Sequence, residues 1–128
     1  MAANTVTLYL PPATDVVVKA FTNAANLQRV TVQPPTGAAL VFSGSGEQNN
    51  PIGSGHFTTP VSAPQAEVDV TMEFSTDGGA TWQAGDVFND SCSIQAYQLA
   101  VVVSEDHVDQ DYNDSVCMVS WPEAGPAR

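Results

Sequence analysis

Five carboxylates, Glu105, Asp106, Asp109, Asp111 and Asp114, and the Asn113 carboxamide fall within the ten positions 105–114. Apolar residues flank them on both sides, Leu99 and Val101 to Val103 before, Val116 to Val119 after, and both flanks read as strands. The acids therefore belong on a short loop at the end of a sheet, where the chain cannot spread them apart. Two unit charges about 4 Å apart repel by roughly 1 kcal/mol in water and about 4 kcal/mol at the effective dielectric of a protein surface. Five carboxylates confined in this way require a cation. Carboxylate oxygens with an Asn carbonyl make an all-oxygen, highly charged donor set, which suits calcium, with its six to eight ligands, better than zinc or copper.

Three other readings compete for the same loop. A solvated acidic turn is the common fate of a charge run, but the strand flanks and the Asp109-x-Asp111-x-Asn113-Asp114 spacing favour an ordered site. An EF-hand begins with the same D-x-D-x-N pattern. Asp114 then stands where that loop needs Gly, Ser120 where it needs the bidentate Glu, and the flanks are β-rich rather than helical. Zinc bound through His107 lacks a neighbouring Cys or second His.

The 128 residues suffice for one domain with a real core. Fourteen acids stand against Lys19, Arg29 and Arg128, for a net charge of −11. Nucleic acid and anionic membrane surfaces both recruit positive charge, so this balance argues against either as partner and points to cations. No apolar run approaches the length of a membrane span, and a soluble chain without membrane insertion is expected. The N-terminus shows neither a basic n-region nor an apolar h-region, so the expectation is a cytoplasmic protein, one that reaches the cell surface or beyond by a non-Sec route, or a sequence that lacks its leader. Cys92 and Cys117 are too few for a disulfide framework, and their pairing stays open.

The elements that must position the loop read as all-β. Residues 5–10 alternate with period two and stop at Pro11-Pro12; residues 15–21 form a second strand that ends in the turn Asn23-Ala24-Ala25-Asn26. Residues 28–33 alternate up to Pro34-Pro35-Thr36-Gly37, and residues 38–42 resume a strand. Residues 43–55, rich in Gly, Ser and Asn, read as a long ordered loop. Residues 65–74 are the clearest strand, with Val68, Val70, Met72 and Phe74 on one side and Glu67, Asp69, Thr71 and Glu73 on the other. Residues 91–103 form a further long strand region. Ser75-Thr76-Asp77-Gly78-Gly79-Ala80-Thr81-Trp82 matches the S-x-D-x-G-x-T-W Asp-box of sialidase-type propellers. A chain of this length cannot hold several blades, so a tight Asp-Gly-Gly hairpin is expected there.

With the loop set between strands, the chain resembles the calcium-dependent fucose/mannose-binding bacterial lectins of the PA-IIL type. The resemblance rests on Ala20-Phe21-Thr22-Asn23-Ala24-Ala25, on Phe42-Ser43-Gly44 with Asn49-Asn50-Pro51-Ile52-Gly53, on the acidic loop through Asp114, and on Trp121-Pro122 seven residues later. It implies an antiparallel β-sandwich of about nine strands over residues 1–124, with residues 125–128 as a short extension, and a site for two adjacent calcium ions. By resemblance, Glu105, Asp109, Asp111 and Asp114 hold one ion, Asn23, Asp111, Asn113 and Asp114 hold the other, and Asp111 and Asp114 bridge. Vicinal hydroxyls of a mannose- or fucose-type sugar then coordinate both ions. Asp106 and Asp109 accept hydroxyl protons, and Ala24 and Ala25 border the sugar with Asp111, Asn113 and Asp114.

Ala24 at the first position after the metal-binding Asn resembles the mannose-preferring members, where Ser goes with fucose; Asn26 departs from the usual small residue. Family chains commonly end at the third residue after Trp, and that terminal carboxylate completes a neighbour's calcium site across a dimer. Here Ala124 holds that position and four residues follow, so the carboxylate is displaced. A homodimer or homotetramer is expected by the same analogy. The expected function is binding, not catalysis. A calcium-stiffened structural or adhesive β-domain competes with it, and so does a hydrolase using paired carboxylates, though acids committed to metal are poor proton donors.

Overall fold

The computed structural model describes residues 4–62, 65–106 and 113–122, and these form eight strands. They are β1 (Thr5–Leu10), β2 (Asp15–Gln33), β3 (Leu40–Thr58), β4 (Ala66–Ser75), β5 (Gln83–Ala84), β6 (Asp86–Ile94), β7 (Tyr97–Glu105) and β8 (Ser115–Pro122). Every pairing is antiparallel, and no helix occurs among the described residues.

The spine is β2. Val16, Val18 and Ala20 in its first half, and Val30 and Val32 in its second, are fully buried, as strict alternation on a one-sided strand requires. The first half pairs with β8, placing Val18 opposite Val119, and the second with β4, placing Val30 opposite Met72, while β3 runs beside both. The bonded order is β1-β4-β2-β8-β7-β6, with β3 on β2 and β5 on β4. One sheet thus changes layer in the middle of β2, and β1 at one end comes against β6 at the other to nearly close a barrel. Leu10, Val68, Val70, Met72 and Val102 fill the interior with the β2 valines. Each such side chain, taken fully from water, contributes on the order of 1.5–3 kcal/mol before chain entropy is counted.

Three expectations change. Residues 23–26 are not a turn between two strands: they lie inside β2, where the register to β3 shifts between Thr22 and Ala24 and again between Ala24 and Gln28. These bulges bend the strand from one layer into the other. Residues 43–55 are not a loop but the middle of β3, paired along β2. Its glycines have a packing cause: a Cβ at Gly53 would run into the Phe42 ring, and one at Gly44 into the Ile52 side chain. Residues 91–103 are not one strand, because a turn at Gln95, with φ of 57°, makes a hairpin of β6 and β7.

The Asp-box segment is the hairpin expected. Ser75 Oγ donates to Asp77 Oδ1 at 2.7 Å and accepts from the Gly79 N–H at 2.8 Å, while Asp77 accepts from the Thr81 N–H at 2.9 Å and the Thr81 hydroxyl at 2.5 Å. Gly78 and Gly79 supply the positive φ angles of 73° and 96°. Donation from Thr81, by side chain and backbone, and from Ser75 holds the Asp77 carboxyl down at about 2. The cysteines are free and lie on opposite faces of their sheet, Cys92 exposed opposite Leu99 and Cys117 buried opposite Val102. Burial pushes the Cys117 thiol up to about 12. The boundary expected at residue 124 and the extension 125–128 lie outside the described residues.

Candidate functional site

The acidic residues emerge where β7 and β8 diverge. Ser104 opposes Ser115 as the last pair of that ladder, and their buried hydroxyls share a short hydrogen bond. Beyond it the two ends of the loop are tied together. The Asp114 N–H donates to the Ser104 carbonyl at 3.0 Å, and the Asp106 N–H donates to Asp114 Oδ2 at 2.7 Å. The β2 bulge is fastened to the same neck, since the Asn23 N–H donates to the Asp114 carbonyl at 3.0 Å.

This lacing brings Glu105, Asp106 and Asp114 together, each with a carboxylate oxygen within 4.8 Å of the others, and all three are buried, Glu105 to 1% exposure. Burial pushes the Asp114 carboxyl up to about 7; the Asp106 N–H opposes the rise, and hydrogen bonding with the Asp106 side chain and the charges of Asp106 and Glu105 add to it. Three carboxylates converging away from water form a hard, negative donor set, and that chemistry fits an oxygen-seeking dication. Asp109 and Asp111, two more of the expected ligands, lie outside the described residues, as does His107.

Asn23 stands beside the cluster with its amide already engaged. Its Oδ1 accepts from the Asn49 N–H at 2.7 Å, and its Nδ2 donates to Asn49 Oδ1 at 2.8 Å and to the Asn113 carbonyl at 3.0 Å. An amide oxygen carries two lone pairs, so one is left for a cation. Asn113 is half-buried and touches Asn23 through its main chain.

A cleft of about 160 Å³ opens over this end, lined by Asn23, Ala24, Ala25, Asn26, Glu47, Asp106 and Asp114. It is small and of monosaccharide scale. Ala24 is buried in its wall and Ala25 exposed at its edge. The Asn26 Nδ2 donates to Asp106 Oδ2 at 3.1 Å, which occupies part of a carboxylate expected to receive hydroxyl protons. Glu47 and Asn49 were not foreseen as part of the site. Both sit on the outward excursion of β3, where Gln48 and Asn49 take positive φ angles of 64° and 52°. The run Glu47-Gln48-Asn49-Asn50 was the one available signal, and it read as loop composition.

Comparison with known proteins agrees with this geometry. The profile of the fucose-binding lectin II (PA-IIL) family matches residues 7–123. Among solved structures, the high-affinity mannose-binding lectin of Ralstonia solanacearum is 27% identical with a TM-score of 0.71, covering 97% of this chain and 100% of that one. The Chromobacterium violaceum lectin CV2L, solved with alpha-methyl-fucoside, is 26% identical with a TM-score of 0.70 over 97% and 100% of the two chains. The C-terminal domain of the Burkholderia cenocepacia lectin BC2L-C is 25% identical with a TM-score of 0.68 over 92% and 96%. No curated protein sequence matches the chain. A match over nearly the whole length places the chain in the PA-IIL family of fucose-binding lectins.

Proposed function

We propose that this chain is a calcium-dependent lectin for mannose- and fucose-type monosaccharides, with mannose favoured, that binds without making or breaking covalent bonds. The observation that carries the reading is the convergence of buried Glu105, Asp106 and Asp114, of which Asp106 and Asp114 line a cleft together with residues 23–26. Glu105 and Asp114, with Asp109 and Asp111 from the rest of the loop, would hold one calcium ion. Asn23 and Asn113, again with Asp111 and Asp114, would hold the second. When bound, the ions supply positive charge and coordination positions for vicinal sugar hydroxyls.

The chain's own residues do the rest. Asp106 accepts a hydroxyl proton in a charge-assisted hydrogen bond, and its contact with Asn26 fixes the direction in which that carboxylate points. Ala24 offers the sugar a methyl group and no hydroxyl, which supports mannose over fucose. The ladder pair Ser104 and Ser115 holds both ends of the loop in place before any ligand arrives, so less ordering entropy is lost on binding.

The test is Asp111→Ala, because that residue would bridge both ions. Calorimetry should find calcium and sugar binding lost together. A variant that kept the sugar affinity of the parent would sink the two-ion reading. Calcium binding by the parent with no heat from either sugar would assign the site to a calcium-stiffened structural domain instead.

A further inference from the structure

The cleft carries one charge that the metal reading does not use. Glu47 lines it with Asp106 and Asp114, yet among the described residues the converging carboxylates are Glu105, Asp106 and Asp114, and Glu47 stands outside that cluster. Its side chain is exposed, and among the described residues neither a hydrogen bond nor an ion pair engages it. Its main chain, in contrast, is fixed on both sides. The Gly46 carbonyl accepts from Thr22 Oγ1 at 3.2 Å, and Asn49 exchanges two hydrogen bonds with Asn23. The excursion also closes on itself, with Asn50 Nδ2 donating to the Ser45 carbonyl at 2.9 Å. Gly46, at a φ of 128°, passes close enough to the Asn50 side chain that a Cβ would lie 3.1 Å from its nitrogen. The β3 excursion is thus laced to the β2 bulge that walls the cleft, and Glu47 is carried to the cleft before any ligand arrives.

Among the described residues no basic side chain neutralises it. The chain has three, Lys19, Arg29 and Arg128. Arg29 is held by Glu73 at 2.9 Å. Lys19 lies four residues along β2 from Asn23, roughly 13 Å at about 3.4 Å per residue, which exceeds the ~8 Å screening length of physiological salt. Arg128 lies outside the described residues. On the reading proposed above, two calcium ions offset four of the five loop carboxylates. One negative charge remains, and Glu47 adds a second.

We propose that Glu47 is a specificity-determining residue that reads charge: the cleft takes sugars bearing an amine in preference to neutral ones, and neutral ones in preference to uronates and other anionic sugars. The inference rests on the calcium-dependent lectin reading. Vicinal hydroxyls that meet the ions are common to all three kinds of sugar, so they do not separate them. A carboxylate beside the ring acts instead on a substituent elsewhere, attracting an ammonium by a charge-assisted contact and repelling a second carboxylate. Like-charge juxtaposition of this sort rejects the wrong ligand while adding little affinity for the right one. Because Glu47 is exposed, its effect has the size of a surface ion pair, about three- to five-fold in affinity.

The experiment is calorimetric titration of three sugars into the full chain at saturating calcium: methyl α-mannoside, its 6-amino-6-deoxy derivative and its uronate. All three keep the ring hydroxyls and differ in charge at one carbon. The parent protein should bind the amine about three- to five-fold more tightly than the neutral sugar and the uronate more weakly by a similar factor. Both ratios should shrink toward one as salt rises to about 1 M. Glu47→Gln keeps the size of the side chain and removes its charge. It should bring both ratios at least about two-fold closer to one while binding the neutral mannoside within about two-fold of the parent protein. Glu67→Gln is the control, an exposed acid opposite Tyr9, at the far end of β4 from the Ser75–Leu27 pair beside the bulge; it should leave both ratios unchanged. Ratios that Glu47→Gln does not move, or that Glu67→Gln moves as far, would overturn the assignment while the lectin reading stands. No heat from the neutral mannoside in calcium-loaded parent protein would bring down the lectin reading, and this inference with it.

Discussion

Asp114 does three things at once: its carbonyl accepts from Asn23, its N–H closes the loop neck on Ser104, and its carboxyl meets Asp106 and Glu105. Its carboxyl, raised to about 7, keeps a proton that the unfolded chain would lose near 3.8. A raised folded value means that the cation-free fold has its full stability below about 4 and loses part of it as pH climbs to about 7. A cation held by these carboxylates would compete with that proton. Apparent calcium affinity should therefore fall from pH 8 to pH 5, approaching ten-fold per unit once below about 6. Titrations in buffers of different ionisation enthalpy should detect about one proton released per site at the acid end. Affinity that does not change with pH would show that Asp114 is ionised before calcium arrives. Asp114→Asn keeps an acceptor for the Asp106 N–H and removes one buried charge. It should cost calcium binding at least about a hundred-fold, while the cation-free variant melts no lower than the parent at pH 8. Glu105, Asp106 and Asp114 could be read from the sequence because like charges crowded between two strands have few uses. Glu47 and Asn49 could not, because their place in the site depends on a β3 excursion whose partner, Asn23, is 26 residues from Asn49.

The strands were legible wherever one face is buried and the other wet. In β4, Val68, Val70, Met72 and Phe74 all face the core as their alternation requires. In β3 the pattern failed for a packing reason: where the two layers meet at the bend of the β2-β3 pair, Phe42 and Ile52 take up the space over Gly53 and Gly44. Glycine-rich composition there signals close approach, not a loop. Gly53→Ala should destabilise the fold by about 1–3 kcal/mol in urea unfolding, and Phe42→Leu added to it should recover part of the loss. No loss on Gly53→Ala would place Phe42 elsewhere. The Asp-box hairpin makes a separate prediction. Its Asp77 carboxyl is held at about 2 against an ordinary 3.8, so it contributes stability above pH 4 that disappears as pH falls through 2. Asp77→Ala should lower the melting temperature by a few degrees at neutral pH, and the difference from the parent should shrink to a small fraction by pH 2 and close below it. A difference that persisted there would assign the effect to the turn backbone.

At the scale of the molecule, the expected two-layered antiparallel fold is present, but β2 and β3 pass between the layers, so hydrogen bonding joins them in one nearly closed sheet. Period-two alternation shows that a residue faces inward and not which layer it faces, and only the bulges at residues 22–28 decide that. A net charge of −11 concentrated partly at one end would make a bound cation and the fold interdependent. Calcium at a hundred times its dissociation constant should add about 2.7 kcal/mol per site to unfolding free energy, read as a rise in melting temperature that chelation reverses. The most direct test of the central claim is calorimetric titration of methyl mannoside, then of a methyl fucoside, into calcium-loaded protein, repeated after chelation. The account predicts binding of both sugars, tighter for the mannoside, and none after chelation. Sugar binding that survives chelation, or no binding in calcium-loaded protein, would contradict it.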